Sequence, residues 1–287
     1  MKKTWQWAAC GYNLLGYKST KEIVELCRYA GITAIETNSG FSNGRADEEL
    51  EQMGKEFRNA GISLYSFHLP FGEEDDIASF YETKRREVIK KMTGIMEQAA
   101  ILGNSVVILH PSTTRYTIEV EGFDRYIFQM GKSLKDLIPA AERLNLTVAL
   151  ENMLPALDGD RFGSRPEHFE IFAREFAHPH LGFCLDTGHA NISCASDGPA
   201  IFFDVMKNHL VAFHIQDNSG DRDLHLAPGY GLIDWKVLFR KMSEIRFSHP
   251  ACVETPPFGP ATYYRYSKEL WKKFFKELEE LAEKSLK

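Results

Sequence analysis

The chain has 287 residues, 44% of them hydrophobic and 26% charged, a soluble-globular composition with enough length to bury a large core. Its formal net charge is 34 − 40 = −6, which excludes the basic footprint by which nucleic-acid binders usually attract polyanions. No apolar run approaches the roughly 20 residues that span a bilayer, and residues 5–10 are too short and too polar for a secretion signal.

Strand-like and helix-like segments alternate along the chain. Residues 5–10 form a first predicted strand, followed by a helix over 20–30 with Ile23, Val24, Leu26 and Cys27 at helical spacing, Thr20 as cap and Gly31 as stop. A second strand over 32–36 leads to a helix over 47–60, ended by Gly61. The third unit is a strand over 62–68 and a helix over 81–102, ended by Gly103. Strands over 105–110, 146–151 and 181–186 each precede a helix, near 123–144, over 166–176 and over 199–209. The seventh unit has a strand over 210–215, a long loop and a helix over 235–245. The eighth has a strand over 250–254 and a helix over 263–281 with an apolar stripe.

Eight such units with near-continuous apolar strands predict a single-domain α/β (β/α)8 barrel over 1–287. A doubly wound nucleotide-binding sheet would need a glycine-rich loop after the first strand, and CGYNLLGY has no GxGxxG. The five cysteines, Cys10, Cys27, Cys184, Cys194 and Cys252, have no CxxC pairing and read as reduced thiols, so cytoplasm is the expected location. The exposed outer helices leave a homo-oligomer open.

Six strands end on residues that bind metals: His68, His110, Glu151, Asp186, His214 and Glu254. In a parallel barrel the strand C-termini converge on one face, so these side chains are expected in one pocket. Glu151, Asp186, His214 and Glu254 form the expected cage for one divalent ion, and three carboxylates with one imidazole suit Mn²⁺, Mg²⁺, Co²⁺ or Zn²⁺. Such an ion would polarise a carbonyl and a neighbouring hydroxyl. Glu151 and Glu254, arriving from strands five and eight, are then the expected acid/base pair for removing and returning a proton α to that carbonyl.

ALENM (149–153), CLDTGHAN (184–191), HIQDNSGDRDLHLAPGYGLIDW (214–235) and VETP (253–256) resemble the xylose isomerase-like barrel superfamily. The resemblance is narrower to its sugar-phosphate isomerase/epimerase branch, which includes ketose 3-epimerases and inosose dehydratase. It implies the same four metal ligands, the same two catalytic glutamates and His189 as a substrate-binding histidine. It also implies a substrate-binding arginine, for which Arg222, eight residues after His214, is the nearest candidate at a displaced spacing. His68, His110 and His225 are expected to face substrate or support the ligands.

The function expected is isomerisation or epimerisation of a small sugar or sugar phosphate through a metal-bound cis-enediolate. A dehydratase of the inosose type shares its first step. The zinc-dependent apurinic endonucleases of the same superfamily resemble this chain at His68, His110, Glu151, Asp186, His189, His214, Asp223, His225 and Glu254. Against that DNA-repair reading stands the acidic loop LPFGEEDDIASF after His68, which would repel a phosphate backbone. Lys84, Arg85 and Arg86 fall on a predicted helix as a solvated face. A barrel that only binds sugar would be favoured by loss of an acid/base glutamate, and both are present.

Among the remaining candidates, Glu36 ends the second predicted strand, as a pocket residue or an ion-pair partner. Trp7, Tyr12, Phe41, Phe71 and Phe258 could wall a sugar site. Gly229 and Gly231 are expected to shape the loop after His225, and Asp234 to cap the following helix. His168, His178, His180, His209 and His249 are read as surface or structural.

Overall fold

The structure is a computed structural model that describes residues 4–114, 117–257 and 266–287. Eight parallel strands close a barrel in sequence order. They are β1 (Trp7–Cys10), β2 (Ala34–Asn38), β3 (Ser63–His68), β4 (Val106–Leu109), β5 (Thr147–Glu151), β6 (Leu181–Asp186), β7 (Leu210–Ile215) and β8 (Ala251–Val253), with β8 pairing back onto β1. The outer layer is α1 (Thr20–Ala30), α2 (Asp47–Asn59), α3 (Glu82–Leu102), α4 (Phe123–Leu144), α5 (Pro166–Glu175), α6 (Gly198–Met206), α7 (Trp235–Glu244) and α8 (Lys268–Ser285). This is the (β/α)8 architecture expected from the alternation. No helix of the described residues is long and apolar enough to cross a membrane.

Successive side chains of a strand point to opposite faces, and here the two faces differ in size. The outward set includes Phe67, Val107, Leu150, Phe183, Leu185, Phe213 and Val253, which join one large core beneath the helices. The inward set is smaller: Ala8, Cys10, Ala34 and Cys252 form one cluster, and Val106, Ile108, Ala149, Cys184 and Ala212 another. Continuing the same period of two toward the strand C-termini brings Glu36, His68, His110, Glu151, Asp186, His214 and Glu254 to the inward face. The polar site therefore rests on a floor of small side chains.

Several element boundaries differ from the sequence expectation. The α1 cap is Ser19, whose hydroxyl accepts from the Glu22 amide at 3.3 Å, rather than Thr20. Strand β2 runs on to Asn38, so Glu36 lies within the strand and is paired in register with Cys10. The start of the last predicted helix falls partly outside the described residues, and α8 begins at Lys268 after a Ser267 cap. Three short helices, Ser39–Ser42, Ile118–Glu121 and Thr187–Cys194, fall below the length at which periodicity is readable. The Lys84–Arg86 run is not uniformly solvated: Arg85 is buried, donating to Ser133 Oγ at 3.1 Å and pairing with Glu82 at 2.9 Å.

Candidate metal and acid–base site

Glu151, the last residue of β5, is the hub of the strand-end cluster. One carboxylate oxygen lies 3.5 Å from His68 Nε2 and 3.3 Å from His110 Nε2. The other lies 3.1 Å from His214 Nδ1 and 3.5 Å from His189 Nδ1. His214 Nδ1 is also 3.4 Å from Glu254 Oε1, which stands one residue beyond β8. Asp186 ends β6, and its carboxylate accepts from the His189 amide at 2.6 Å, so it caps the short helix Thr187–Cys194 and turns His189 toward Glu151. Asn152 holds Asp186 from behind, donating to its carbonyl at 2.9 Å and accepting from its amide at 2.7 Å.

The loop after β7 brings the second half of the cluster. Asp223 Oδ2 lies 3.6 Å from His189 Nε2 and 3.2 Å from His225 Nε2, and His225 Nδ1 is 3.9 Å from Glu254. Gln216 Nε2 bridges Asp186, at 3.2 Å, and Asp223, at 2.9 Å. The loop is shaped by Asp217, whose carboxylate accepts from the amides of Asn218, Gly229 and Ile233 and from Trp235 Nε1 at 2.8 Å. Gly229 has φ +88, where only glycine is unstrained, and a Cβ on Gly231 would meet Asp217 Oδ1 at 2.2 Å. Asp234 caps α7 by accepting from the Val237 amide at 3.1 Å. Both glycines and the cap thus have the roles expected of them.

Burial sets the electrostatics. Burial alone would push the Glu151 carboxyl up, but the surrounding His214 and His110 imidazoles hold it well below the usual carboxylate range. Glu254 is raised to about 7 by burial, with Glu151 and Asp186 adding to the rise against the opposing His214 and His225. Asp186 is raised by burial too. The His189 imidazole, which burial depresses, is carried up to about 10 by Asp186, Asp223 and Glu151, and His225 to about 9 by Asp223 and Glu254. The carboxylates of Glu151, Asp186, Asp223 and Glu254 share one largely buried space, and the cationic groups paired with them at close range among the described residues are imidazoles.

The donor set fits a divalent cation. Glu151 Oε2 and His214 Nδ1 are buried and make no hydrogen bond, although carboxylates and imidazoles surround both. Unpaired buried polar atoms are costly, and an ion shared among Glu151, Asp186, His214 and Glu254 would satisfy them. The residues His68, Glu151 and His214, and separately Glu151, Asp186 and His189, place potential ligand atoms within 4.8 Å of one another.

A cavity of about 540 Å³ opens onto this cluster, lined by His68, His110, Glu151, His189, His225 and Glu254 together with Tyr12 and Phe71. That size suits a small organic ligand. Tyr12 and Phe71 supply the aromatic wall expected of them, with Phe71 stacked on His110 at 4.9 Å between ring centroids. Trp7 and Phe41 instead belong to the core beneath the helices, and Phe258 lies outside the described residues. Arg222 is not brought to the cavity: the turn through Gly220, at φ +83, leaves it exposed and paired with Asp221 at 3.5 Å. Arg161, between β5 and α5, is the one arginine or lysine among the described lining residues.

The sequence did not identify Asn152, Gln216 or Arg161. Gln216 stands two residues after His214, the spacing that would have signalled the same face. Arg161 sits in an irregular connection, where no period places a side chain.

A family model described as xylose isomerase-like TIM barrel matches residues 24–283. The chain belongs to that family. The uncharacterized protein y4fM of Sinorhizobium fredii (strain NBRC 101917 / NGR234) is 26% identical over 257 residues, covering 81% of this chain and 80% of that one. The barrel also superposes on a D-tagatose 3-epimerase-like protein with a TM-score of 0.76 and 21% identity, covering 98% of this chain and 100% of the other. A zinc-bound IOLI protein gives a TM-score of 0.76 at 19% identity, covering 97% and 99%. These structural likenesses establish the shared family fold.

Proposed function

We propose that this barrel holds one divalent cation at Glu151, Asp186, His214 and Glu254 and isomerises or epimerises a small sugar or sugar phosphate. The observation that carries the reading is the pair of glutamates meeting at His214 Nδ1 inside a cavity of monosaccharide scale. A divalent ion bound there supplies Lewis acidity toward a carbonyl and its neighbouring hydroxyl. A D-tagatose 3-epimerase-like protein and a zinc-bound protein among the structures of the same fold support the sugar chemistry and the metal.

Glu151 and Glu254 divide the proton work. Glu151, held ionised by its imidazole neighbours, is suited to remove the proton α to the substrate carbonyl. Glu254, raised to about 7 in the metal-free protein, is suited to return one, at the opposite face in an epimerisation. The charged imidazoles of His189 and His225 stabilise the negative charge that develops on the substrate oxygens as the cis-enediolate forms. His68 and His110 flank the Glu151 carboxylate, and Phe71 stacks on His110 at the cavity wall.

A second reading has its own observation: the nine residues shared with the apurinic endonucleases form one contiguous cluster, seven of them lining the cavity. One experiment separates the two. Elemental analysis is combined with a ketose panel in deuterated water, using wild type, Glu151→Gln and Glu254→Gln. The sugar reading expects one divalent ion per chain, solvent deuterium on the carbon next to the carbonyl, and turnover lower by roughly 10²–10⁴-fold in either variant. Near wild-type turnover in Glu151→Gln sinks the mechanism. Three zinc ions with cleavage of abasic DNA replaces it with the nuclease. Loss of water from the product assigns the dehydratase branch.

A further inference from the structure

Glu36 lies within the barrel, below the residues that line the cavity, and is 1% exposed. A buried carboxylate is expensive unless it is paired and hydrogen-bonded. Its Oε2 accepts from Ser66 Oγ at 2.7 Å and lies 3.2 Å from His214 Nε2. Its Oε1 has no hydrogen-bond partner, and besides His214 the potential ligand groups within 4.8 Å of the carboxylate are Glu254 and the thiols of Cys10 and Cys252. What the carboxylate engages, therefore, is the far side of the imidazole whose Nδ1 faces Glu151 and Glu254.

We propose that Glu36 is a positioning residue for the metal site, fixing His214 with its proton on Nε2 and its Nδ1 lone pair presented to the Glu151–Glu254 centre. The inference rests on the metal reading above. A neutral imidazole carries one N–H, and a ligating nitrogen must be the other one. A carboxylate at Nε2 selects that tautomer, makes Nδ1 more basic and prevents the ring from flipping. The parallel stacking of His214 on His68, 15° between planes at 5.5 Å, restrains the remaining rotation. Glu36 does not itself line the cavity, and the ring atom it contacts is His214 Nε2, so its effect on an ion at Nδ1 passes through that imidazole.

If Glu36 served only as a structural ion pair, its replacement would lower stability and leave the affinity of the folded protein for metal unchanged. Free Mn²⁺, followed by electron paramagnetic resonance, gives the dissociation constant for metal-stripped wild type, Glu36→Gln and Ser66→Ala, with folding checked by circular dichroism. Glu36→Gln should weaken Mn²⁺ binding by roughly 10–100-fold. Ser66→Ala, which retains the Glu36–His214 contact, should stay within a few-fold of wild type.

Nitrogen-15 imidazole spectra of zinc-loaded wild type give a test independent of any variant, with His214 expected to be protonated at Nε2 and metal-bound at Nδ1. Folded Glu36→Gln with wild-type Mn²⁺ affinity, or His214 bound through Nε2, overturns the inference while leaving the functional reading standing. Absence of metal binding by wild type removes both.

Discussion

Glu254 is a ligand candidate that ionises near neutrality, and this gives metal binding an expected pH dependence. Its folded-state pKa of about 7 reflects burial first and the neighbouring Glu151 and Asp186 second. His214, depressed by burial but raised further by Cys184, Glu254, Glu151 and Glu36, is also protonated in the metal-free protein. A cation must displace both protons, so affinity rises with pH while His214 holds its proton and falls more steeply as pH drops through 7, where Glu254 takes one up. Mn²⁺ titrations between pH 5.5 and 8 should lose at least about tenfold in affinity per unit below 7. A flat profile would show that these groups do not take up the ion. At this scale the sequence was readable where a residue ended an apolar run, as with Glu151 and Asp186. It was ambiguous for Glu36, because β2 continues past it to Asn38 and the run does not mark its end.

Among the elements, the loop from β7 to α7 is the one most closely tied to chemistry. Asp217 gathers three amides and an indole, and the close pass of Gly231 against it leaves no space for a side chain. Gly231→Ala should cost roughly 1–3 kcal/mol in chemical denaturation, as overpacking does. Because the same loop delivers Asp223 and His225, turnover should fall while Mn²⁺ affinity at the four strand-borne ligands stays within a few-fold. A Gly231→Ala protein with unchanged stability and turnover would contradict this account. The PGYGLIDW stretch was legible as loop and cap because glycine and aspartate act locally. The outward swing of Arg222 was not, since it depends on where Asp217 fastens a loop that sequence spacing treats as a string. The short helix carrying His189 escaped for a related reason: eight residues, about two turns, make no readable period, and its start is visible only as the capping bond to Asp186.

For the molecule as a whole, a cation held as proposed would tie together the ends of four consecutive strands, β5 to β8. Ligand that binds only the folded state adds about 2.7 kcal/mol at 100 times its dissociation constant. With unfolding entropies near 2.1 cal/mol/K per residue over 287 residues, that should raise the thermal midpoint by roughly 4–5 °C. A chelator should reverse the shift, and calorimetry with and without Mn²⁺ is the check. No shift at saturating metal would mean that the ion is not held by the folded barrel. The fold was legible because eight repeats of one strand–helix pattern reinforce each other, even where single boundaries moved by a residue or two. The cavity was less so, since its walls come from irregular connections between those repeats.

The light inner lining of the barrel has a consequence for ligand choice. Ala8, Ala34, Ala149 and Ala212, with Cys10, Cys184 and Cys252, occupy the bore beneath the charged ring. With Val106 and Ile108 they fill the space directly beneath the charged ring. Replacing one of them by valine would add bulk under a strand end without altering any group that performs chemistry. Ligand choice would then respond to a change in packing below the ring, with the charged side chains themselves left in place.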